Sequence, residues 1–373
     1  MEKKLQSYFN NIASYFKKSK TYSIGIDFGS NSLKVVVLQK KDGKIMLKNY
    51  ALVKMKKDIS REDLRNFSGK LASGILKKMD INKKDLNIAI PSHSSFIMLI
   101  EIIGESESEL RNEIEHEAAK YIPVDLSEVV FDWQIINYDS SAIKIEKLKG
   151  GEDIKSTDKV KFKKKALLVS VMKNISSKYQ KSFIDNDLSI GSIEVDCFSI
   201  QRALSADPKK NYLILDIGGK TTNFIGIYQG QLLFNRNIDL AGEKITNLIA
   251  KSLNVSRDRA EKLKIEQGFK TDSKNIAKNI LGPAFNTIIE QAQKNLEEFE
   301  EFREGEVDRL VLSGGTSEMK GAKDYIQSKM KTEVVYGNPW SGIEYPKKIK
   351  KRILADSPFF GVAAGLALIG MRD

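Results

Sequence analysis

The chain is short of the residues that staple or metallate a fold. Of 373 residues, one is cysteine, Cys197, and two are histidine, His93 and His116. A lone cysteine forms no intramolecular disulfide, and these three side chains cannot make a Cys/His metal cluster. The fold must therefore hold through its apolar core, and a reducing compartment fits. No run of about 18 apolar residues occurs, and the N-terminus lacks the apolar stretch of a secretory signal, so the chain is expected to stay cytoplasmic without spanning a membrane. No G-x-G-x-x-G is present. Gly219-Lys220-Thr221 ends like a P-loop, but the position that needs the first glycine is Ile214, which excludes that motif.

What is there is a folded composition, 41% hydrophobic and 29% charged, and a length suited to two or three compact units. The net charge of +12 draws anions, whether nucleic acid, anionic lipid head groups or acidic partners, or simply solvates a lysine-rich surface. No nucleic-acid motif accompanies it, so no nucleic acid is expected.

From Leu5 to Phe16, apolar residues Leu5, Tyr8, Phe9, Ile12, Ala13 and Phe16 share one helical face, ringed by Lys3, Lys4, Lys17, Lys18 and Lys20. Residues 1–21 thus read as a basic amphipathic helix, suited to an anionic membrane surface, a partner's groove or its own domain. Strands are predicted at Tyr22–Asp27, Leu33–Gln39, Ile45–Val53 and Leu86–Ile90, with a helix over Ser60–Met79 between the last two. Ser106–Ile122 opens as a capping box and stops before Pro123, which predicts a second helix. A strand at Val129–Ile136 precedes a lysine-rich loop over Tyr138–Lys165. Further strands are predicted at Lys165–Val171, Ile190–Val195, Tyr212–Leu215, Asn223–Tyr228, Leu232–Asn237 and Arg309–Leu312. Helices are predicted over Gly242–Arg303 and around Lys320–Lys331, and Phe359–Met371 reads as a buried closing helix.

The informative feature is an internal echo. Ile24-Gly25-Ile26-Asp27-Phe28-Gly29-Ser30-Asn31-Ser32-Leu33-Lys34 and Ile214-Leu215-Asp216-Ile217-Gly218-Gly219-Lys220-Thr221-Thr222-Asn223 each end an apolar strand in Asp-x-Gly before a small hydroxyl-bearing turn. Glycine lets the backbone turn tightly and approach a ligand with successive N–H groups directed at it, which makes a phosphate cradle. Two such turns, half a chain apart, suggest duplicated lobes closing on one polyphosphate. Asp27 and Asp216 would hold a hydrated Mg2+ between them, and Lys34 would offer a positive charge. A third turn, Ser313-Gly314-Gly315-Thr316, follows the apolar strand Leu310-Val311-Leu312.

With these three motifs the chain resembles the actin, sugar kinase and heat-shock chaperone superfamily. Within it the chain is similar to the type IV pilus assembly PilM family, a relative of the cell-division protein FtsA. The likeness extends to His116–Asp125, Glu128–Gln134, Glu194–Phe198 with Arg202-Ala203, Arg236–Thr246, Ala260–Lys264 and Pro358–Leu368. It implies a two-lobed α/β, actin-like (duplicated RNase H-like) fold. The first lobe would cover 22–206 with a partner-binding subdomain inserted at about 87–164. The second would cover 207–357 with a helical subdomain at about 242–305, and residues 358–373 would pack back on the first lobe.

The resemblance implies ATP with Mg2+ in the cleft. Gly29, Ser30, Asn31, Ser32 and Lys34 would lie on one side of the phosphates and Gly218, Gly219, Lys220 and Thr221 on the other. Gly242, Glu243, Lys244, Glu261, Lys264, Gly314, Gly315 and Thr316 would surround the nucleoside. Asp196 or Glu194 would orient a water for in-line attack, with turnover at most slow. The implied partner is the short cytoplasmic tail of a PilN-like inner-membrane protein, lying along strand edges of the insert near Trp133, Phe131 and Tyr121. Peripheral attachment to the inner membrane and self-association belong to the same expectation. An FtsA-like membrane-tethered filament and a small-molecule kinase stand as alternatives.

Overall fold

In the computed structural model, the residues described are 21–55, 60–82, 85–104, 107–136, 162–269, 276–303 and 305–371. The expected N-terminal helix and nearly all of the lysine-rich loop lie outside them, as does Ser106.

Three sheets organise the molecule. The first is six-stranded, in the order β14-β3-β2-β1-β4-β8, built from β1 (Tyr22–Phe28), β2 (Ser32–Lys41), β3 (Lys44–Lys54), β4 (Asp85–Ile90), β8 (Ser189–Val195) and the short β14 (Ile343–Glu344). The second is five-stranded, in the order β11-β10-β9-β12-β13, from β9 (Tyr212–Ile217), β10 (Thr222–Tyr228), β11 (Gln231–Ile238), β12 (Arg309–Ser313) and β13 (Glu333–Tyr336). Setting β14 aside, the two sheets are the same design. An antiparallel meander of three strands is extended on its first strand by two parallel ones, β4 and β8 in one sheet and β12 and β13 in the other. The sequence echo is therefore a duplicated topology.

Parallel neighbours need crossovers, which here are helical. Helix α1 (Arg61–Lys78) links β3 to β4, capped by the Ser60 side chain accepting from Asp63 N–H. Between β9's meander and β12 run α5 (Gly242–Leu253), α6 (Arg257–Gln267) and the long α7 (Ile276–Arg303), and α8 (Ala322–Gln327) leads to β13. Strand residues such as Ile24, Ile26, Ile88, Leu213, Ile214, Leu310 and Leu312 are fully buried and belong to one continuous core. The near-unbroken apolar runs of the parallel strands follow from cover on both faces.

The third sheet is an insert between β4 and β8, in the order β5-β7-β6, with β5 (Ser95–Gly104), β6 (Val129–Ile136) and β7 (Phe162–Met172) all antiparallel. Helix α2 (Glu107–Tyr121) packs on it, and Ile100, Ile102, Leu110, Ile114, Ala118, Ile122, Val129, Ala166 and Leu168 form a core of their own. The insert boundaries expected at 87 and 164 both fall inside strands. Asn87 pairs within the first sheet, and residue 164 lies in β7, which carries the insert to Met172. Helix α3 (Lys173–Ile184) then returns to β8 and packs on α1.

Helix α4 (Asp196–Leu204) leaves β8 toward the second lobe. After a short α9 (Lys350–Ala355), α10 (Gly361–Ala367) packs on α4, β1, β2 and β4. A Cβ on Gly25 would meet Ala363 O at 2.2 Å, so only glycine admits the helix this close to β1. The helix around Lys320–Lys331 is shorter than its periodicity predicts: Gly321 with φ +75° precedes its start at Ala322, and it ends at Gln327. Among the described residues, no helix is long and apolar enough to cross a membrane.

Candidate functional site

The two Asp-x-Gly turns meet. In the first, β1 and β2 pair Asp27 with Lys34 across the hairpin, and Lys34 Nζ lies 2.8 Å from Asp27 Oδ2 with both side chains largely buried. In the second, β9 and β10 pair Asp216 with Asn223, and Gly218 N–H bonds Thr221 O at 3.1 Å. A Cβ on Gly219 would stand 2.5 Å from Ser30 Oγ and 2.6 Å from Asn31 Nδ2. The backbone of one turn thus faces the polar side chains of the other, each from its own sheet.

Burial pushes the Asp216 carboxyl up from its usual range, opposed by hydrogen bonds from Ser313 and Asn223 and by the nearby Lys34 charge. Asp196, the first residue of α4, accepts from Ser92 N–H at 3.1 Å and from the Ser92 hydroxyl. Burial pushes it up to about 7, and repulsion from Asp216 and Asp27 acts the same way. Asp27, Asp196 and Asp216 therefore act on one another across a small space, with Lys34 as a cation among them.

That space fits a cation and a polyphosphate in its donor set. The carboxylates repel each other, the two glycine turns present backbone rather than side chains, and Asn223 Oδ1 is buried without a hydrogen-bond partner. Among the described residues no three carboxylate, histidine or cysteine groups converge as a ready ligand shell. Mg2+ would be held by Asp27 and Asp216 together with phosphate oxygens and water, the mixed shell it prefers.

The remaining residues form the far wall. Gly242 and Glu243, at the start of α5, donate their N–H groups to Gly218 O at 3.2 Å and Gly219 O at 2.7 Å. Thr316 Oγ1 donates to Gly218 O at 2.7 Å. Gly314, at φ +83°, is pressed on β9, where a Cβ would meet Ile217 O at 2.3 Å. A Cβ on Gly315 would strike the Phe359 ring. Lys264, buried on α6, reaches Gly242 O at 3.1 Å, Thr246 Oγ1 at 2.9 Å and Glu261 Oε2 at 2.8 Å. Most of the residues named from the sequence thus gather around the three glycine turns. Ser32, Lys220 and Thr221 sit partly exposed at the turns, Glu243 pairs with Arg257 at 3.6 Å, and Lys244 points into solvent.

Glu194 is not brought to the aspartates. Arg202 holds both its oxygens, at 2.6 and 2.8 Å, the Ser199 hydroxyl donates to it, and Arg202 also bonds Gly365 O at 3.0 Å. A carboxylate held by a guanidinium fork is a strut, here tying β8 to α4 and α10, so of the two carboxylates only Asp196 stands with Asp27 and Asp216. In the insert, Tyr121 is exposed while Phe131 and Trp133 pack half-buried on the insert core. Ser92, Asn223 and Ser313 contact the aspartates without having been singled out. For Asn223 the signal was its place in the echo, cross-strand from Asp216 as Lys34 is from Asp27.

Comparison with known proteins agrees with this architecture. The family model described as type IV pilus assembly protein PilM matches residues 25–371. A solved PilM–PilN type IV pilus biogenesis complex contains a chain superposing with a TM-score of 0.76 at 19% identity, covering 94% of this chain and 99% of that one. The ethanolamine utilization protein EutJ of Carboxydothermus hydrogenoformans superposes at 0.50 with 14% identity, covering 98% of each chain. Among curated proteins, the cell division protein FtsA of Enterococcus hirae is 21% identical over 346 residues, 82% of this chain and 75% of its own length. FtsA of Pseudomonas aeruginosa is 23% identical over 241 residues, 57% of this chain and 55% of its own length; the chain spans about half the length of the first curated relatives it matches. With a duplicated sheet topology, paired glycine turns and a family match running nearly end to end, the chain belongs to the type IV pilus assembly protein PilM family and has the two-lobed actin-like fold.

Proposed function

We propose that this protein is a nucleotide-binding scaffold of type IV pilus assembly. It takes Mg-ATP between its lobes and offers the inserted sheet, with the first lobe, to the cytoplasmic tail of a PilN-like inner-membrane protein. The observation that carries the reading is the approach of Gly219 to Ser30 and Asn31, with Lys34 and three aspartates around the same space. The glycine turns would bind the phosphates through backbone N–H groups, and Lys34 would leave Asp27 to meet them. Asp27 and Asp216 would hold the Mg2+, which when bound neutralises phosphate charge. Asp196 stands where a water could be oriented, so turnover, if present, runs through it at a slow rate. Nucleotide binding would stabilise the closed lobes by mass action, which suits a scaffold. Bound to a membrane protein's tail, the chain would work at the cytoplasmic face of the inner membrane.

Calorimetric titration tests both halves. Mg-ATP is expected to bind the wild-type protein, and Asp27→Ala and Asp216→Ala each to weaken it by roughly tenfold or more, as loss of a charged contact does. Unchanged affinity in both variants would remove the proposed metal position. A PilN-like tail peptide is expected to bind the Mg-ATP form saturably. A second reading, an FtsA-like filament, rests on the FtsA matches; sedimentation of the protein with Mg-ATP but no peptide binding would favour it.

A further inference from the structure

The inserted sheet is rooted in the first lobe at two places; the entry root bonds one of the aspartates, and the helix that follows the exit root packs beside another. The entry root is a single 3-10 turn, Ser92–Ser94, between β4 and β5. Ser92 is 2% exposed and gives both its backbone N–H, at 3.1 Å, and its hydroxyl to one oxygen, Oδ1 of Asp196. The Ser92 carbonyl accepts from the Ser95 hydroxyl at 2.8 Å, which closes the turn onto the first residue of β5. Arg65 on α1 donates to Ser94 Oγ at 3.1 Å and also bonds the Tyr179 hydroxyl. The exit root is the junction of β7 with α3, and Tyr179 on α3 packs on Phe28, next to Asp27, with ring centroids 6.1 Å apart. On the other side, β11 of the second lobe lies against the entry turn and β5. The insert is thus held by groups that also form the back of the cleft.

We propose that Ser92 is a positioning residue that couples the cleft to the insert. By holding Asp196 from the insert's own root, it makes the setting of the three-stranded sheet depend on whether a Mg2+-bound nucleoside triphosphate occupies the cleft. The inference rests on the nucleotide reading above.

Two bonds from one residue to one carboxylate oxygen fix direction as well as distance. Asp196 cannot shift toward or away from a ligand without dragging the turn or breaking both bonds. Asp27 and Asp216 already act on Asp196, and a divalent ion with a polyphosphate changes the charge that all three face. The energy for coupling is the difference in the Ser92–Asp196 contact between the two occupancies, carried by a packed turn and not by a flexible loop. A capping contact that merely satisfied the carboxylate would stabilise the fold equally with and without ligand, and that separates the two roles.

The test is hydrogen–deuterium exchange of the full chain, read on peptides covering β5 and β6 with and without saturating Mg-ATP, with calorimetry on the same samples. In the wild type and in Ser92→Thr, nucleotide is expected to slow exchange in β5 by about fivefold or more, the lower end of ordinary coupling energies. Ser92→Ala keeps the backbone N–H bond and loses the hydroxyl one; it is expected to bind Mg-ATP within about tenfold of wild type and to show less than half of the nucleotide-dependent change in the insert. If Ser92→Ala does not fold, Asp196→Ala breaks the contact from the cleft side and is expected to lose the same response. A full response in the alanine variants, or a wild-type insert indifferent to bound Mg-ATP, overturns the coupling alone. Absence of Mg-ATP binding to the wild type overturns the nucleotide reading and the coupling with it.

Discussion

The two Asp-x-Gly hairpins share a topology and differ in what stands across from the aspartate. In the first lobe it is Lys34, in an ion pair with Asp27; in the second it is Asn223, a neutral donor to Asp216. The second turn is also buttressed, since Gly314 lies on the Ile217 backbone and Gly242, Glu243 and Thr316 bond the carbonyls of Gly218 and Gly219. The first turn has the movable lysine beside Gly29 instead. Duplication has thus left one cradle with charge and freedom and the other with rigidity and neutral donors. A single lysine serving aspartates from both lobes gives the pair a reason to close on an anion.

The largest expected effect attacks the rigidity. Gly314→Ala combines a φ of +83° with a Cβ 2.3 Å from Ile217 O, and should cost about 3 kcal/mol or more in denaturant unfolding. Gly29→Ala, which has no positive φ and whose Cβ would meet the flexible Lys34 Nζ at 2.5 Å and Ser32 O at 3.0 Å, should cost less. Similar losses in the two would erase the contrast between the turns.

The division of charge comes next. Lys34→Met should lower Mg-ATP affinity by roughly a hundredfold, and Asn223→Leu by no more than about tenfold, following the strengths of charged and neutral hydrogen bonds. Isothermal calorimetry decides, and equal losses would mean that the lysine has no special part.

The effect that is smallest per step, spread over several pH units, is a pH dependence. Asp196 stands at about 7 against an ordinary 3.8, chiefly through burial. It holds its proton better folded than unfolded, so folding takes up a proton between those values. Stability of the nucleotide-free protein should fall as pH rises through about 4 to 7, with a slope approaching ~1.4 kcal/mol per unit, and level off above. Asp196→Asn should flatten the slope; an undiminished slope would assign the proton to Asp216, which is raised in the same direction.

Sequence patterns exposed the hairpins because their strands are short apolar runs cut off by Asp-x-Gly, and turn chemistry of that kind is local. Other elements hid their signals. Helix α3 mixes Ser176 and Ser182 with Tyr179 and Phe183 on its packed face, where Ser182 Oγ accepts from Gly69 N–H at 2.9 Å, so its apolar stripe is narrow and diluted by serines. The continuous apolar run of β5 has no alternation, and β13 and β14 are too short to show any. Glu194 and Asp196 look alike in sequence. What separates them is the Arg202 fork across the strand-to-helix junction, and the contact of Ser92 with Asp196 spans more than a hundred residues of chain.

Helix α10 sits between α4 and the first sheet, with Gly365 so close to Ser199 O that a Cβ would overlap it. Yet it follows the whole second lobe in the chain. Strands β9 to β13 are contiguous and need nothing beyond Tyr336 to complete their sheet, whereas the first sheet waits for residues past 360 to cover β1. On the ribosome, where domains ordinarily fold in order of emergence, this order is inverted: the lobe that is made first is closed last. Until then its β1 face must be kept from other partners.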